Sequence, residues 1–110
     1  MAYDTELAER IRELVDPLRG VEEKPMFGGL AFLINGNMSV AASGQGGLLV
    51  WVPPEDADKL LARQHVNAMV MRGREARGWL RVDADAVNTK RQLQSWVTRG
   101  TDYARSLPPK

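Results

Sequence analysis

The spacing of apolar residues near the start of the chain predicts an amphipathic helix. The residues that recur every three or four positions are Leu7, Ile11, Leu14, Val15 and Leu18. Asp4 or Thr5 is placed to cap the first turn, and Pro17 and Gly20 mark the end of the helix.

Two further helices are predicted later in the chain. Pro53-Pro54 stops an apolar run and starts a helix whose first turn is acidic, which suits the positive end of the helix dipole. The last helix runs from about Asn88 to Ser106. Its apolar face consists of Leu93, Trp96, Val97, Tyr103, Ala104 and Leu107.

Apolar runs between the helices predict about five strands. They are Gly28 to Ile34, the segment from Asn37 through Ala41, Leu48 to Val52, Val66 to Met71, and Trp79 to Val82. Val21 to Pro25 is interpreted as a polar link, Ser43 to Gly47 as a flexible turn, and RGREARG, residues 72–78, as a basic loop.

Asn35-Gly36 is the strongest hairpin signal in the chain, because both residues suit the positive φ angles of a type I′ turn. A two-residue turn places Phe32 opposite Ser39 and Ala31 opposite Val40. We therefore expect helices to cover the face that holds Ala31, Leu33, Met38 and Val40. A second contact is expected over Leu30, Phe32 and Ile34.

The predicted order is helix, three strands, helix, two strands, helix. Strands joined by short turns form antiparallel sheets, so the pattern predicts an α+β fold with helices on one side of the sheet. With 110 residues, we expect one domain over residues 1–110.

Composition removes several functional classes. The formal net charge of +1 provides no strong general attraction to nucleic acid or membranes. The chain has no cysteine and one histidine, which excludes disulfides, thiolate metal sites and a multi-histidine metal site within one chain. The N-terminus has no apolar signal core and no run approaches a membrane span, so we expect a cytoplasmic protein.

The candidate catalytic residues are more simply explained by structure. Gly28-Gly29 leads into a strand, whereas a phosphate loop leads into a helix, and Ser43 to Gly47 also lies between strands. His65 is the one candidate base, placed beyond the second helix. Carboxylates beside predicted helix starts are explained by capping and by compensation of the helix dipole: Glu55, Asp56, Asp58, Asp83 and Asp85. We expect no enzyme activity and no cofactor.

The remaining surface feature is the basic loop. Arg72, Arg74 and Arg77, together with Lys24, are candidates to contact an anion or an acidic partner, because arginine binds phosphate bidentately. The alternative is a solvated hairpin loop that its charges keep soluble.

Two separated motifs give the chain a family resemblance. KPMFGGL at residues 24–30, with Asn35-Gly36 and Met38 after it, resembles the K-x-M-F-G-G signature of the TfoX/Sxy N-terminal domain family, and GREARGW at 73–79 resembles its second signature. The matching motif residues, expected to be structural, are Met26, Phe27, Gly28, Gly29, Asn35, Gly36, Gly73, Gly78 and Trp79.

The resemblance implies an α+β fold like that of type III secretion chaperones, a dimer, and no established catalytic residue. The founding members of the family regulate natural competence with the cyclic-AMP receptor protein, and they carry a second, C-terminal helical domain. This chain resembles the first domain.

Two functional hypotheses follow. The first is a non-catalytic, regulatory protein-interaction module that forms a homodimer, because a sheet with two apolar sides needs a partner surface. The second is a weak nucleic-acid or anion binder that assists transcription regulation through Arg72 to Arg77.

Overall fold

The computed structural model describes residues 3–26, 28–71 and 73–109. This part of the chain forms three helices and six strands. The elements are α1 (Thr5–Val15), β1 (Val21–Met26), β2 (Gly29–Ile34), β3 (Asn37–Ala42), β4 (Leu48–Trp51), α2 (Pro54–Leu60), β5 (Val66–Met71), β6 (Arg74–Val82) and α3 (Lys90–Ser106). A single 3₁₀ turn, Ala84–Ala86, precedes α3.

Side chains cap α1, as predicted, and α3, whereas α2 begins after Pro53 without a side-chain cap. The side chain of Asp4 accepts hydrogen bonds from the backbone N–H groups of Glu6 and Leu7. Thr89 and Gln92 form a capping box at the start of α3. Within the described residues, no helix is both long and apolar enough to cross a lipid bilayer.

All neighbouring strands are antiparallel, in the order β1-β2-β3-β4-β6-β5. This confirms the predicted α+β class but corrects the number of strands from five to six. The segment interpreted as a polar link is β1, which pairs with β2 along its whole length, from Val21 opposite Ile34 to Met26 opposite Gly29. Backbone pairing forms this strand although half of its side chains are charged.

The basic loop is also corrected. β6 begins at Arg74, and Arg74 and Glu75 lie opposite Met71 and Val70 of β5. The ladder then shifts, since Ala68 lies opposite Leu80, and the extra residues of β6 form a bulge. Most of the predicted loop is therefore strand.

The turn between β2 and β3 has the predicted form. Asn35 and Gly36 both have positive φ angles, 53° and 85°, as a type I′ turn requires. The N–H of Asn35 donates to the carbonyl of Gly20 at 3.0 Å, which ties the turn to the start of β1.

A bulge at Ser39 changes the predicted faces of β3 beyond it, so that Val40 shares a face with Phe32 and Ala41 shares one with Ala31. Leu33 lies opposite Met38 as expected, but Phe32 lies opposite Val40 and Ala31 opposite Ala41, so Ser39 is an extra residue in β3. The buried Ser39 hydroxyl donates to the carbonyl of Phe32 at 2.6 Å. The prediction of helix cover was therefore right for Val40 and wrong for Ala31, Leu33 and Met38, which belong to the cluster on the opposite face.

The helices pack on the face that contains Leu30, Phe32, Val40 and Ala42. Residues of all three helices join this core, including Ile11 of α1, Leu60 of α2 and Leu93 and Trp96 of α3. α3 approaches β3 closely at Gly100, where a Cβ atom would lie 2.8 Å from Cγ1 of Val40.

The opposite face is closed by large side chains of the sheet together with Tyr103 of α3. Its buried members are Ala31, Leu33, Ala41, Leu49, Trp51 and Met69, and none is more than 8% exposed. Met26, Met38, Trp79 and Tyr103 pack against them. This face therefore needs no second chain to cover it, and the case for a dimer has to come from another surface.

Candidate functional site

The structure separates the basic residues that the sequence grouped together. Lys24 lies on β1 and Arg74 at the start of β6, both exposed, and β2, β3 and β4 lie between their strands. Arg72 lies outside the described residues, and for Arg77 only the backbone position within β6 is described. Lys24 and Arg74 therefore do not converge on one ligand within a single chain.

Arg81, which is close to this group in sequence, has a structural contact. Its guanidinium donates to the Ser43 hydroxyl at 3.1 Å and to the Gly46 carbonyl at 3.2 Å. It thereby holds the turn between β3 and β4 against β6.

The family-motif residues occupy turns and close contacts. A Cβ on Gly29 would collide with the Ala42 carbonyl, and one on Gly44 with the Gly28 carbonyl, so the two glycine clusters pack on each other. Gly73 and Gly78 have positive φ angles at the hairpin and at the bulge of β6. Phe27 lies outside the described residues. Architecture explains these glycines without a phosphate ligand.

Trp79 and the residues around it join β6 to β4. The ring centroids of Trp79 and Trp51 lie 3.9 Å apart at an interplanar angle of 54°. The N–H of Val52 donates to the carbonyl of Gly78 at 2.9 Å. The second motif thus fixes the β4–β6 contact.

The acidic residues and the histidine do not assemble a metal site in the described part of the chain, where no group of three potential ligands is found. Glu55 and Asp56 lie in the first turn of α2, as predicted, but Asp58 lies beyond that turn and no side chain caps the helix. Asp83 and Asp85 lie at the 3₁₀ turn before α3, which Thr89 caps instead of a carboxylate. His65 is placed at the start of β5, with Nδ1 3.7 Å from a carboxylate oxygen of Asp83.

One ion pair anchors β1 to α1. Nε and Nη2 of Arg12 donate to the two carboxylate oxygens of Glu23 at 2.6 and 2.7 Å. This hydrogen bonding lowers the pKa of Glu23, although partial burial acts in the opposite direction. Glu9 also pairs with Arg12.

β1 is the first edge of the sheet and is poorly suited to meet another strand. Glu22, Glu23, Lys24 and Pro25 form its centre, and all four are exposed. Charged side chains oppose the approach of a second strand, and proline has no N–H to donate.

β5 is the other edge and carries no such residues. Its sequence, VNAMVM, has neither charge nor proline, and β6 is its one neighbour in the sheet. Val70 of this strand is 59% exposed, and no other large hydrophobic side chain in the described residues is exposed. An uncharged edge of this kind is open to an additional strand.

The apolar pattern predicts β5 as a strand but does not predict that its outer edge is exposed. Whether a strand lies at an edge depends on strand order, and β6 inserts between β4 and β5 here. The one feature of the sequence that could have indicated an unprotected edge is the absence of charged residues from VNAMVM.

A model of the TfoX N-terminal domain matches residues 13–104 of the chain. No curated protein and no solved structure matches the chain.

Proposed function

The chain belongs to the TfoX N-terminal domain family, and from this and the geometry of its sheet we propose that it is a non-catalytic, regulatory protein-interaction module. In this proposal it works in the cytoplasm as a homodimer. Its partner-binding surface is the outer edge of β5.

The observation that carries the proposal is the openness of this edge. The unpaired N–H and C=O groups of a sheet edge form a template for another strand. β5 offers six residues without a charge, and Val70 adds an apolar side chain that is 59% exposed. Proteins that remain monomeric commonly protect such edges, as this chain does at β1.

Light scattering after size-exclusion chromatography tests the proposal. At tens of micromolar, we expect a mass of twice the chain mass of 12.2 kDa, falling towards 12.2 kDa on dilution. A strict monomer at 100 micromolar would contradict the homodimer.

A second candidate function, weak anion or nucleic-acid binding, is favoured by a cleft between α3 and the segment that follows α2. The cleft has a volume of about 330 Å³, and none of its described lining residues is acidic. They are Arg63, Gln64, Ala86, Arg91, Gln92, Ser95 and Trp96. The guanidinium carbon of Arg63 lies 5.6 Å from the centre of the Trp96 ring.

Titration with a short single-stranded oligonucleotide at low salt tests this second function and locates it. Binding dominated by phosphate contacts should weaken steeply as salt is raised. Arg63→Gln with Arg91→Gln should weaken binding if the cleft is the site, whereas Arg74→Ala with Arg77→Ala should do so if the hairpin is the site. Absence of binding at low salt would contradict both locations.

A further inference from the structure

We infer that β5 pairs with β5 of a second copy, antiparallel, around a two-fold axis that passes beside Ala68. This rests on the proposed function and goes further, because it names the partner strand and its register. The result is one continuous sheet through both chains, with the two β5 strands at its centre.

A second copy is the occupant that the two edges favour. Pairing of β5 with β1 of another molecule would build an open filament, but β1 presents Glu22, Glu23, Lys24 and Pro25 to an incoming strand. Pairing of β5 with itself closes after two chains. It also brings no like charges opposite each other, since β5 has no charged residue.

The two-fold axis can pass beside either of the two central residues of β5, one on each face of the sheet. Directly opposite residues in an antiparallel pair point to the same face, and a two-fold axis between identical strands places one residue opposite itself. Val66 belongs to the core on the helix side, so Ala68 and Val70, which alternate with it, share that side. Met69 belongs to the opposite face. Ala68 and Met69 are the two central residues of β5 and therefore the two candidate positions for the axis.

The side chains favour Ala68 over Met69. With Ala68 at the axis, Val70 lies opposite Val66 of the second copy, which gives the exposed valine a β-branched apolar neighbour. The axis itself is then occupied by two small methyl groups. With Met69 at the axis, Val70 would meet only Ala68 of the second copy, and less of its surface would be covered.

Single cysteines test the register directly, because the natural chain has none. Directly opposite Cβ atoms in an antiparallel pair lie about 4.5–5.5 Å apart. Full-length Ala68→Cys, oxidised with diamide, should therefore cross-link to itself. Val70→Cys is the matched control, because its two copies would be four residues apart along the strands, about 13 Å.

We expect Ala68→Cys to form the covalent dimer at least tenfold faster than Val70→Cys alone. An equal mixture of Val66→Cys and Val70→Cys should also cross-link, whereas each of these variants alone should not. Circular dichroism of each reduced variant checks that the chain is folded, and a mixture of Asn67→Cys and Met69→Cys, which the same register places opposite each other, provides a second pair if any variant is not.

The possible failures are distinguishable. Faster cross-linking of Met69→Cys than of Ala68→Cys would overturn the register. A dimer by light scattering without cross-linking at either position would overturn β5 as the interface while the homodimer stands. A monomer at 100 micromolar would overturn the inference together with the proposed dimer.

Discussion

The two edges of the sheet are equal in length and differ in their openness to another strand. β1 and β5 each have six residues. β1 combines two glutamates, a lysine and a proline, whereas β5 has Val66, Asn67, Ala68, Met69, Val70 and Met71. Charge and proline block one edge, and the other is left available.

This difference shows that the tendency to form a strand and the protection of an edge follow opposite sequence rules. Glutamate, lysine and proline are uncommon in strands, yet β1 pairs with β2 over its full length. β5 has the stronger strand-forming composition and, for the same reason, the less protected edge. The segment that least resembles a strand terminates the sheet.

The largest expected effect comes from placing a charge on the open edge. Val70→Lys should raise the dimer dissociation constant at least about 30-fold, because an unpaired charge in an interface costs about 2 kcal/mol or more. Light scattering across a dilution series measures the change. The free energy of unfolding of the monomer should change by no more than about 0.5 kcal/mol, since Val70 is exposed.

Glu22→Lys is the matched control on the other edge. It also introduces a lysine at an exposed strand position. The dimer dissociation constant should stay within about twofold of the wild-type value, because most exposed substitutions have small effects. Equal weakening by both variants would mean that general charge, and not the identity of the edge, governs association.

The centre of the sheet should control stability without controlling association. Ser39→Ala removes the buried hydroxyl that donates to the Phe32 carbonyl at 2.6 Å, and should lower the free energy of unfolding by about 1–3 kcal/mol. Urea denaturation measures this loss. Below the unfolding transition, the dimer constant should be unchanged.

Ser106→Ala provides the control for this bond. The Ser106 hydroxyl donates to the Tyr103 carbonyl at the same distance, 2.6 Å, but in an exposed position. Its loss should cost less than about 0.5 kcal/mol. If both variants lost the same free energy of unfolding, burial would not determine how much the Ser39 hydrogen bond contributes to stability.

Local signals made much of the fold predictable. Asp4 caps α1 and Asn35-Gly36 forms the turn, because capping and turn geometry depend on a few neighbouring residues. β1 was missed because its side chains give no alternating apolar pattern and its partner, β2, determines its conformation. The bulge at Ser39 was missed because two-residue turns predict a regular register beyond them.

The candidate site was harder to predict, since it depends on the arrangement of distant segments. Lys24 and Arg74 were grouped by charge, but strand order places them on different strands with three strands between. Arg63 and Arg91 were not grouped, although both line the cleft between α3 and the segment that follows α2. The openness of β5 likewise follows from the insertion of β6 beside β4, which no local pattern specifies.

A smaller effect is expected when the protection of β1 is removed. Glu22→Thr, Lys24→Thr and Pro25→Val together should allow this edge to pair as well, because the backbone N–H is restored and the one charged side chain left, Glu23, is paired with Arg12. Light scattering above 100 micromolar should then give average masses above that of the dimer.

Adding Val70→Lys to this triple variant is the control. One open edge per chain limits association to dimers, so the larger species should disappear. Their persistence would show that the triple variant associates through exposed core residues and not through strand pairing.

The smallest expected effect concerns the ion pair that anchors β1. Arg12 lowers the pKa of Glu23 in the folded chain below its ordinary value of 4.5, so this group contributes stability above pH 4.5. That contribution is lost as pH falls through the lowered pKa. Wild type should therefore be slightly more stable than Glu23→Gln at pH 7, and the difference in free energy of unfolding should vanish well below pH 4.

Glu22→Gln removes the same charge without touching Arg12, so the difference between the two variants isolates the pair. Because both partners are largely exposed, 1 M salt should reduce the difference at pH 7. A difference that persists unchanged at low pH would mean that Glu23 acts through packing on α1, and that the anchoring of this edge is not electrostatic.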